Sequence, residues 1–157
     1  MTFEQAVTFV LDQEGGISDL AGDPGGLTKF GISKRNYPNL DIANLTKDQA
    51  ISIYRKDYWE KLCCAQLPHG LDLLVFDASA NEGPVCAAKM LQSVLKVMPD
   101  GVIGPSTIKA ARKAPDVVTA YLGQRMYQYA LASQILTFGH GWYCRLARAA
   151  QLAFSGS

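Results

Sequence analysis

The sequence predicts a mainly α-helical domain interrupted once, after its first helix, by a small β-hairpin. Three observations carry that reading. Two capping boxes, Thr2 with Gln5 and Thr46 with Gln49, each open a run of apolar residues at helical spacing. Residues 71–80 are apolar nearly all round, as a helix enclosed by other helices must be. Glycines crowd into residues 15–31, a stretch of turn sequences with only a short alternating segment.

The first helix carries Phe3, Val7 and Val10 on one stripe, and the next position on that stripe is Glu14. A carboxylate where the pattern asks for an apolar residue is partly desolvated, which favours the protonated form a general acid needs. A Glu that only forms an ion pair fits the position equally well. Gly15 and Gly16 stop the helix and allow close approach of a ligand to the backbone. Asp23-Pro24-Gly25-Gly26 is a tight-turn sequence, and residues 27–32 alternate loosely before Ser33, which predicts a hairpin beside the end of the first helix. That topology brings Asp19, Asp23 and Thr28 towards Glu14, with Asp19 read as a turn residue that caps backbone amides. Two carboxylates and a hydroxyl around one cleft can protonate a glycosidic oxygen and orient a water or stabilise an oxocarbenium ion.

Residues 34–44, with Pro38 among Asn and Asp, read as a loop. The helix opened by Thr46 should run to about Leu62, with Ala50, Ile53, Tyr54, Asp57 and Tyr58 facing partly inward. Tyr54, Tyr58 and Trp59 suit either a core or the face of a sugar, and Tyr58 is the one assigned to substrate. After Pro68 comes the enclosed helix 71–80, whose Asp77 must find hydrogen-bond partners; Asn81, at its exposed end, suits an N-acetyl group. Pro84 opens a helix with the stripe Ala88, Leu91, Leu95 and Met98 that ends before Pro99. Residues 100–107 read as a loop in which Ser106 caps a helix over 107–113, and they lack the alternating oxygen ligands of a calcium loop. Asp116 should cap a long helix to about Leu136, with Val118, Leu122, Arg125, Tyr129, Ala132 and Leu136 on its stripe. A buried Arg125 then needs a carboxylate, Asp77 or Glu14. Phe138-Gly139-His140-Gly141 reads as a flexible turn into a last helix over 142–154, with His140 on the surface and Trp142 as a cleft wall.

A chain of 157 residues, 48% hydrophobic and 18% charged, supports one well-buried core, so residues 1–157 are expected to form one compact monomeric domain. No apolar run is long enough to span a membrane, and the first residues lack the basic and apolar regions of a signal peptide, which predicts synthesis in the cytoplasm. Cys63, Cys64, Cys86 and Cys144 have no zinc-like spacing and are read as free thiols, with neither metal nor cofactor expected. The formal charge of +1 hides an asymmetry: beyond Gly101, Lys109, Arg112, Lys113, Arg125, Arg145 and Arg148 stand against Asp116 alone. A basic C-terminal face would favour an anionic polymer such as peptidoglycan with its attached glycopolymers; a solvated helical surface explains the charges as well.

Glu14-Gly15-Gly16, followed by Asp23-Pro24-Gly25-Gly26-Leu27-Thr28-Lys29-Phe30-Gly31-Ile32-Ser33, resembles the glycoside hydrolase family 108 muramidases, a group of phage endolysins and related secretion activator proteins. The likeness continues through Leu45-Thr46, the run Tyr54-Arg55-Lys56-Asp57-Tyr58-Trp59, Phe76-Asp77 with Asn81 and Gly83, Asp100-Gly101 with Gly104-Pro105, and Phe138-Gly139-His140-Gly141-Trp142. It implies a lysozyme-like helical fold with Glu14 as the catalytic acid. Glu14, Asp23 and Thr28 also look similar to the Glu, Asp, Thr triad of phage-type lysozymes, with Asp23 and Thr28 one residue closer together than usual, Ile17 in place of an aromatic and Leu27 where a Glu is common. Residues 1–84 would hold the catalytic part, and residues 85–157 resemble a peptidoglycan-binding region. The activity implied is cleavage of the β-1,4 bond between N-acetylmuramic acid and N-acetylglucosamine, with Lys29, Tyr58, Asn81 and Trp142 on the glycan. The partner implied is the glycan strand, not nucleic acid or a membrane, reached through a holin or a similar exporter to lyse the bacterial cell. The rival readings are a lytic transglycosylase and a non-catalytic wall-binding or secretion-linked module.

Overall fold

The computed structural model describes residues 1–14, the backbone of 17–18, and residues 27–155. The element order is α1 (Phe3–Glu14), β1 (Ile17–Ser18), β2 (Thr28–Lys29), β3 (Ile32–Ser33), α2 (Lys47–Tyr54), α3 (Leu71–Glu82), α4 (Pro84–Val94), α5 (Pro105–Lys113), α6 (Val117–Leu131) and α7 (Ile135–Phe154). The three strands form one antiparallel sheet in the order β1-β2-β3, so the expected hairpin carries an additional short strand. The fold is mainly helical and lysozyme-like.

Both capping boxes form. Thr2 and Gln5 exchange side chain to backbone bonds at the start of α1, and Thr46 and Gln49 do the same before α2. Such reciprocal bonds satisfy amides that the first turn of a helix leaves without partners. Beyond Tyr54 the chain continues as a π-helix, Arg55–Glu60, instead of the α-helix expected to Leu62, and a short 3-10 turn, Cys64–Gln66, follows. Tyr54, Tyr58 and Trp59 all turn into the core with Phe3 and Phe76. Helix α3 is the axis of the molecule: each residue of 71–79 is buried, and the helix touches α1, α4, α6 and α7. Gly70 makes that enclosure feasible. A side chain there would lie 2.6 Å from the carbonyl oxygen of Ala153, so the end of α7 packs directly on backbone.

The C-terminal half departs from the sequence reading in five places. Met98 is 79% exposed because α4 stops at Val94 and turns through Lys96 at positive φ. Pro105 at the first turn, not Ser106 as a cap, opens α5. The preceding loop is held by the buried Gln92, whose amide donates to Asp100 Oδ1 and the Val102 carbonyl and accepts from the Gly101 N–H. Asp116 makes no side-chain cap to α6, and that helix ends at Leu131, leaving Leu136 97% exposed. The turn expected at residues 138–141 is helical, because α7 runs unbroken through Gly139 and Gly141.

Candidate active site

Glu14 is the last residue of α1, and its side chain keeps 19% of its surface exposed. It stands where the apolar stripe of the helix reaches the surface, so its carboxylate is neither in the core nor free in solvent. Arg145, from α7, donates to Glu14 Oε1 at 2.7 Å and, through Nε, to Asp77 Oδ1 at 2.8 Å. Asp77 is fully buried in α3 and takes a second guanidinium on its other oxygen, from Arg125 Nη1 at 2.8 Å. Arg125 Nη2 in turn donates to Tyr129 Oη, which also accepts from Asn81 Nδ2, each at 2.9 Å. A single polar chain thus runs from Glu14 through Arg145, Asp77, Arg125 and Tyr129 to Asn81, across α1, α3, α6 and α7.

A buried charge is tolerated only when paired and hydrogen-bonded, and Asp77 meets that condition with one charged donor per oxygen. Burial by itself works against the charge on Arg125, yet the Asp77 carboxylate outweighs it and holds the guanidinium firmly protonated. The same opposition acts on Arg145, where Asp77 and Glu14 together overcome the burial. Glu82 is the loose member. It lies 3.7 Å from Arg125 Nε, and its buried Oε1 has no hydrogen-bond partner among the described residues. Burial pushes its carboxyl above the usual range, Arg125 draws it back, and Asp77 pushes it up again.

On the other side of Glu14 is the β2–β3 turn. Thr28 pairs with Ser33 and Lys29 with Ile32, which leaves Phe30 and Gly31 as a two-residue loop with φ of 52° and 77°. Positive φ at both positions is the twist that a tight hairpin requires, and it is costly for Phe30. Tyr54 offsets that cost by donating its hydroxyl to the Phe30 carbonyl at 3.0 Å. Gly31 has no room for a side chain: a Cβ would meet Tyr54 Oη and lie 2.9 Å from both Cγ and Oε2 of Glu14. Burial, with the charge of Glu14 added to it, pushes the Tyr54 hydroxyl well above the ordinary phenol range, so it remains a neutral donor. Glu14 is therefore gripped through Oε1 by Arg145, while Oε2 faces the glycine turn.

The family model for glycosyl hydrolase 108 matches residues 7–83, which include Glu14, the hairpin and Asp77. Over 99% of its length the chain is 35% identical to the protein of a solved structure titled "Structure of Brucella abortus SagA", covering 96% of that chain with a TM-score of 0.89. The chain belongs to the glycosyl hydrolase 108 family. No curated protein matches it.

As a glycosyl hydrolase 108 protein it is a glycosidase, and of the side chains expected at the site Thr28, Lys29, Tyr58, Asn81 and Trp142 lie among the described residues. Thr28 opens β2, half-buried, on the hairpin that turns against Glu14. Lys29 extends its ammonium to the Ala43 carbonyl at 2.9 Å. Tyr58 is only 8% exposed and packs on Tyr54 with ring centroids 5.1 Å apart. Exposed Asn81 and half-buried Trp142 come together through Tyr129, whose ring lies 5.4 Å from that of Trp142. Asp19 and Asp23 lie outside the described residues. Arg145 is the member that sequence reasoning missed, having counted it with Arg125 in a basic C-terminal face. Arg125 has no exposed side-chain surface and Arg145 only 12%, so neither belongs to such a face. A usable signal existed in the enclosed Asp77, since one buried carboxylate with two oxygens can bind two guanidinium groups.

Proposed function

We propose that this glycosidase is an N-acetylmuramidase of peptidoglycan, with Glu14 as the acid that protonates the glycosidic oxygen between N-acetylmuramic acid and N-acetylglucosamine. The observation that carries the reading is the grip of Arg145 on Glu14 beside the Gly31 turn. A guanidinium only donates, so the oxygen bound to it must accept, and the transferable proton resides on Oε2, the oxygen towards the hairpin. Because Asp77 takes up part of the positive charge, Arg145 can fix the carboxyl without acting as an undivided counter-ion. Asp23 and Thr28 orient the water or stabilise the developing positive charge on the sugar. Asn81 and Trp142 contact the glycan beyond the cleaved bond, Lys29 lies along the hairpin edge, and Tyr58 backs Tyr54 from the core. The enzyme works on glycan strands of the wall without a stable membrane association, reaching them through a holin or a similar route and lysing the cell.

The test is a digest of purified peptidoglycan with product masses. Hydrolysis leaves a reducing N-acetylmuramic acid end, whereas a lytic transglycosylase leaves a 1,6-anhydro end one water lighter. Glu14→Gln should abolish product while still binding glycan, because it removes the proton donor alone. Anhydro products would replace the hydrolase by the transglycosylase. Undiminished activity of Glu14→Gln would move the acid to another residue.

A further inference from the structure

Phe138, Trp142 and Arg145 follow one another at four-then-three spacing on α7 and so share one face of the helix. Arg145 is bound to Glu14, which fixes where that face leads. Trp142 packs on Tyr129, whose hydroxyl receives Asn81, and its other neighbour is the ring of Phe138, with centroids 6.1 Å apart and planes inclined by 30°. Phe138 is 51% exposed, although a Phe on a surface helix ordinarily turns its ring inward. With Phe138 half uncovered and Trp142 partly so, the two inclined rings continue the site outward along α7.

We propose that Phe138 and Trp142 form an aromatic platform for a pyranose ring of the glycan, at a subsite separated from the cleavage point. The inference rests on the muramidase reading and names how that site holds its substrate at a distance. Seven residues of helix rise about 10 Å, roughly the length of a disaccharide, so Phe138 lies well beyond the sugars that Glu14 can reach. The chemistry fits a β-1,4-linked chain. With its substituents equatorial, each hexose turns axial C–H groups to its two faces, and the electron-rich face of an aromatic ring receives them. The occupant follows from continuity: the rings run into the polar chain of Asn81, Tyr129, Arg145 and Glu14. The same rings would not distinguish a wall glycan from another β-1,4-linked N-acetylhexosamine polymer; recognition of the lactyl group must come from elsewhere in the site.

The test uses the full chain with Phe138→Ala, Phe138→Leu and Phe138→Trp, all at a half-exposed position where the fold should be retained. Cleavage is measured on muropeptide-free glycan strands sorted by length, and affinity for an octasaccharide strand is measured by calorimetry in a Glu14→Gln background. Phe138→Ala should raise KM for long strands about tenfold while leaving kcat and the cleavage of the shortest substrates unchanged; Phe138→Trp should restore the loss and Phe138→Leu should not. Equal affinity of the Ala and parent proteins for the octasaccharide would overturn the platform and leave the muramidase reading standing. Absence of any cleavage by the parent protein would sink the muramidase reading instead, and the binding series would still decide the platform. If Phe138→Ala changed only the oligomeric mass by light scattering, the rings would be a protein contact and the proposal would fall.

Discussion

Arg145 ties a surface carboxylate to a buried one, and its substitutions should separate positioning from folding. Arg145→Ala strands Asp77 Oδ1 in the core and releases Glu14; breaking a buried pair in this way costs about 3–5 kcal/mol, so thermal melting should reveal a strongly destabilised protein. Arg145→Lys keeps the charge but cannot reach two carboxylates in the fork geometry, and kcat should fall about tenfold with KM changed less than about twofold. The stability of Glu14→Gln is checked by the same scans. From the apolar stripe alone, a neutral isostere should relieve a desolvated charge and melt no lower than wild type at pH 7. The 2.7 Å bond to Arg145 reverses that expectation, because an amide oxygen is a weaker acceptor for the guanidinium than a carboxylate, and a loss of about 1 kcal/mol should follow. Glu14 was legible in the sequence because a helical stripe and a glycine pair point at it locally. Arg145 was not, since its partner lies 131 positions away and no periodicity connects them.

The helices were legible where local signals agree, as at the two capping boxes, the apolar run of α3 and the Pro84 start of α4. They were misread where a local breaker is overruled by packing. Gly139 and Gly141 look like a turn, yet α7 continues because Leu146, Ala149 and Ala153 are buried and Arg145 is ion-paired further along. Gly139 is buried, and a Cβ there would lie 2.7 Å from Cδ1 of Ile135, one turn back on the same helix. Gly141 and, in α6, Gly123 are under no such constraint: both are exposed, with nothing within 4 Å of an added Cβ. Gly123→Ala and Gly141→Ala should each stabilise by about 0.5–1 kcal/mol, read as a rise in Tm of about 2–4 °C per kcal/mol. A fall in Tm for either would mean that the helix needs flexibility at that point. The π-helix after α2 carries no sequence signal of its own; the burial of Tyr58 and Trp59 in the shared core accompanies it.

Taken whole, the molecule places two guanidinium groups among Glu14, Asp77 and Glu82, and the uncompensated part of that balance sits at Glu82. Its folded-state carboxyl is raised above the usual value, so proton binding favours the fold; that contribution is complete below about pH 4.3 and is lost as pH climbs through the raised value. Above that raised value the carboxylate is desolvated with Oε1 unbonded, and at pH 7 Glu82→Gln should melt at the same or a higher temperature than wild type. The gap should close in acid, and a lower melting temperature at pH 7 would mean that attraction to Arg125 dominates. The same polar chain bears on modularity. The stretch matched by the family model ends at residue 83, whereas the group that grips Glu14 is supplied at residue 145 and the flanks of α3 are covered by α6 and α7. A transplant of residues 1–84 into another protein would carry the recognisable signature without its keystone. Expressed alone it should expose the flanks of α3, aggregate and cleave nothing, and co-expression with residues 85–157 should recover glycan cleavage by reassembly, because the signature and the working unit of this enzyme have different boundaries.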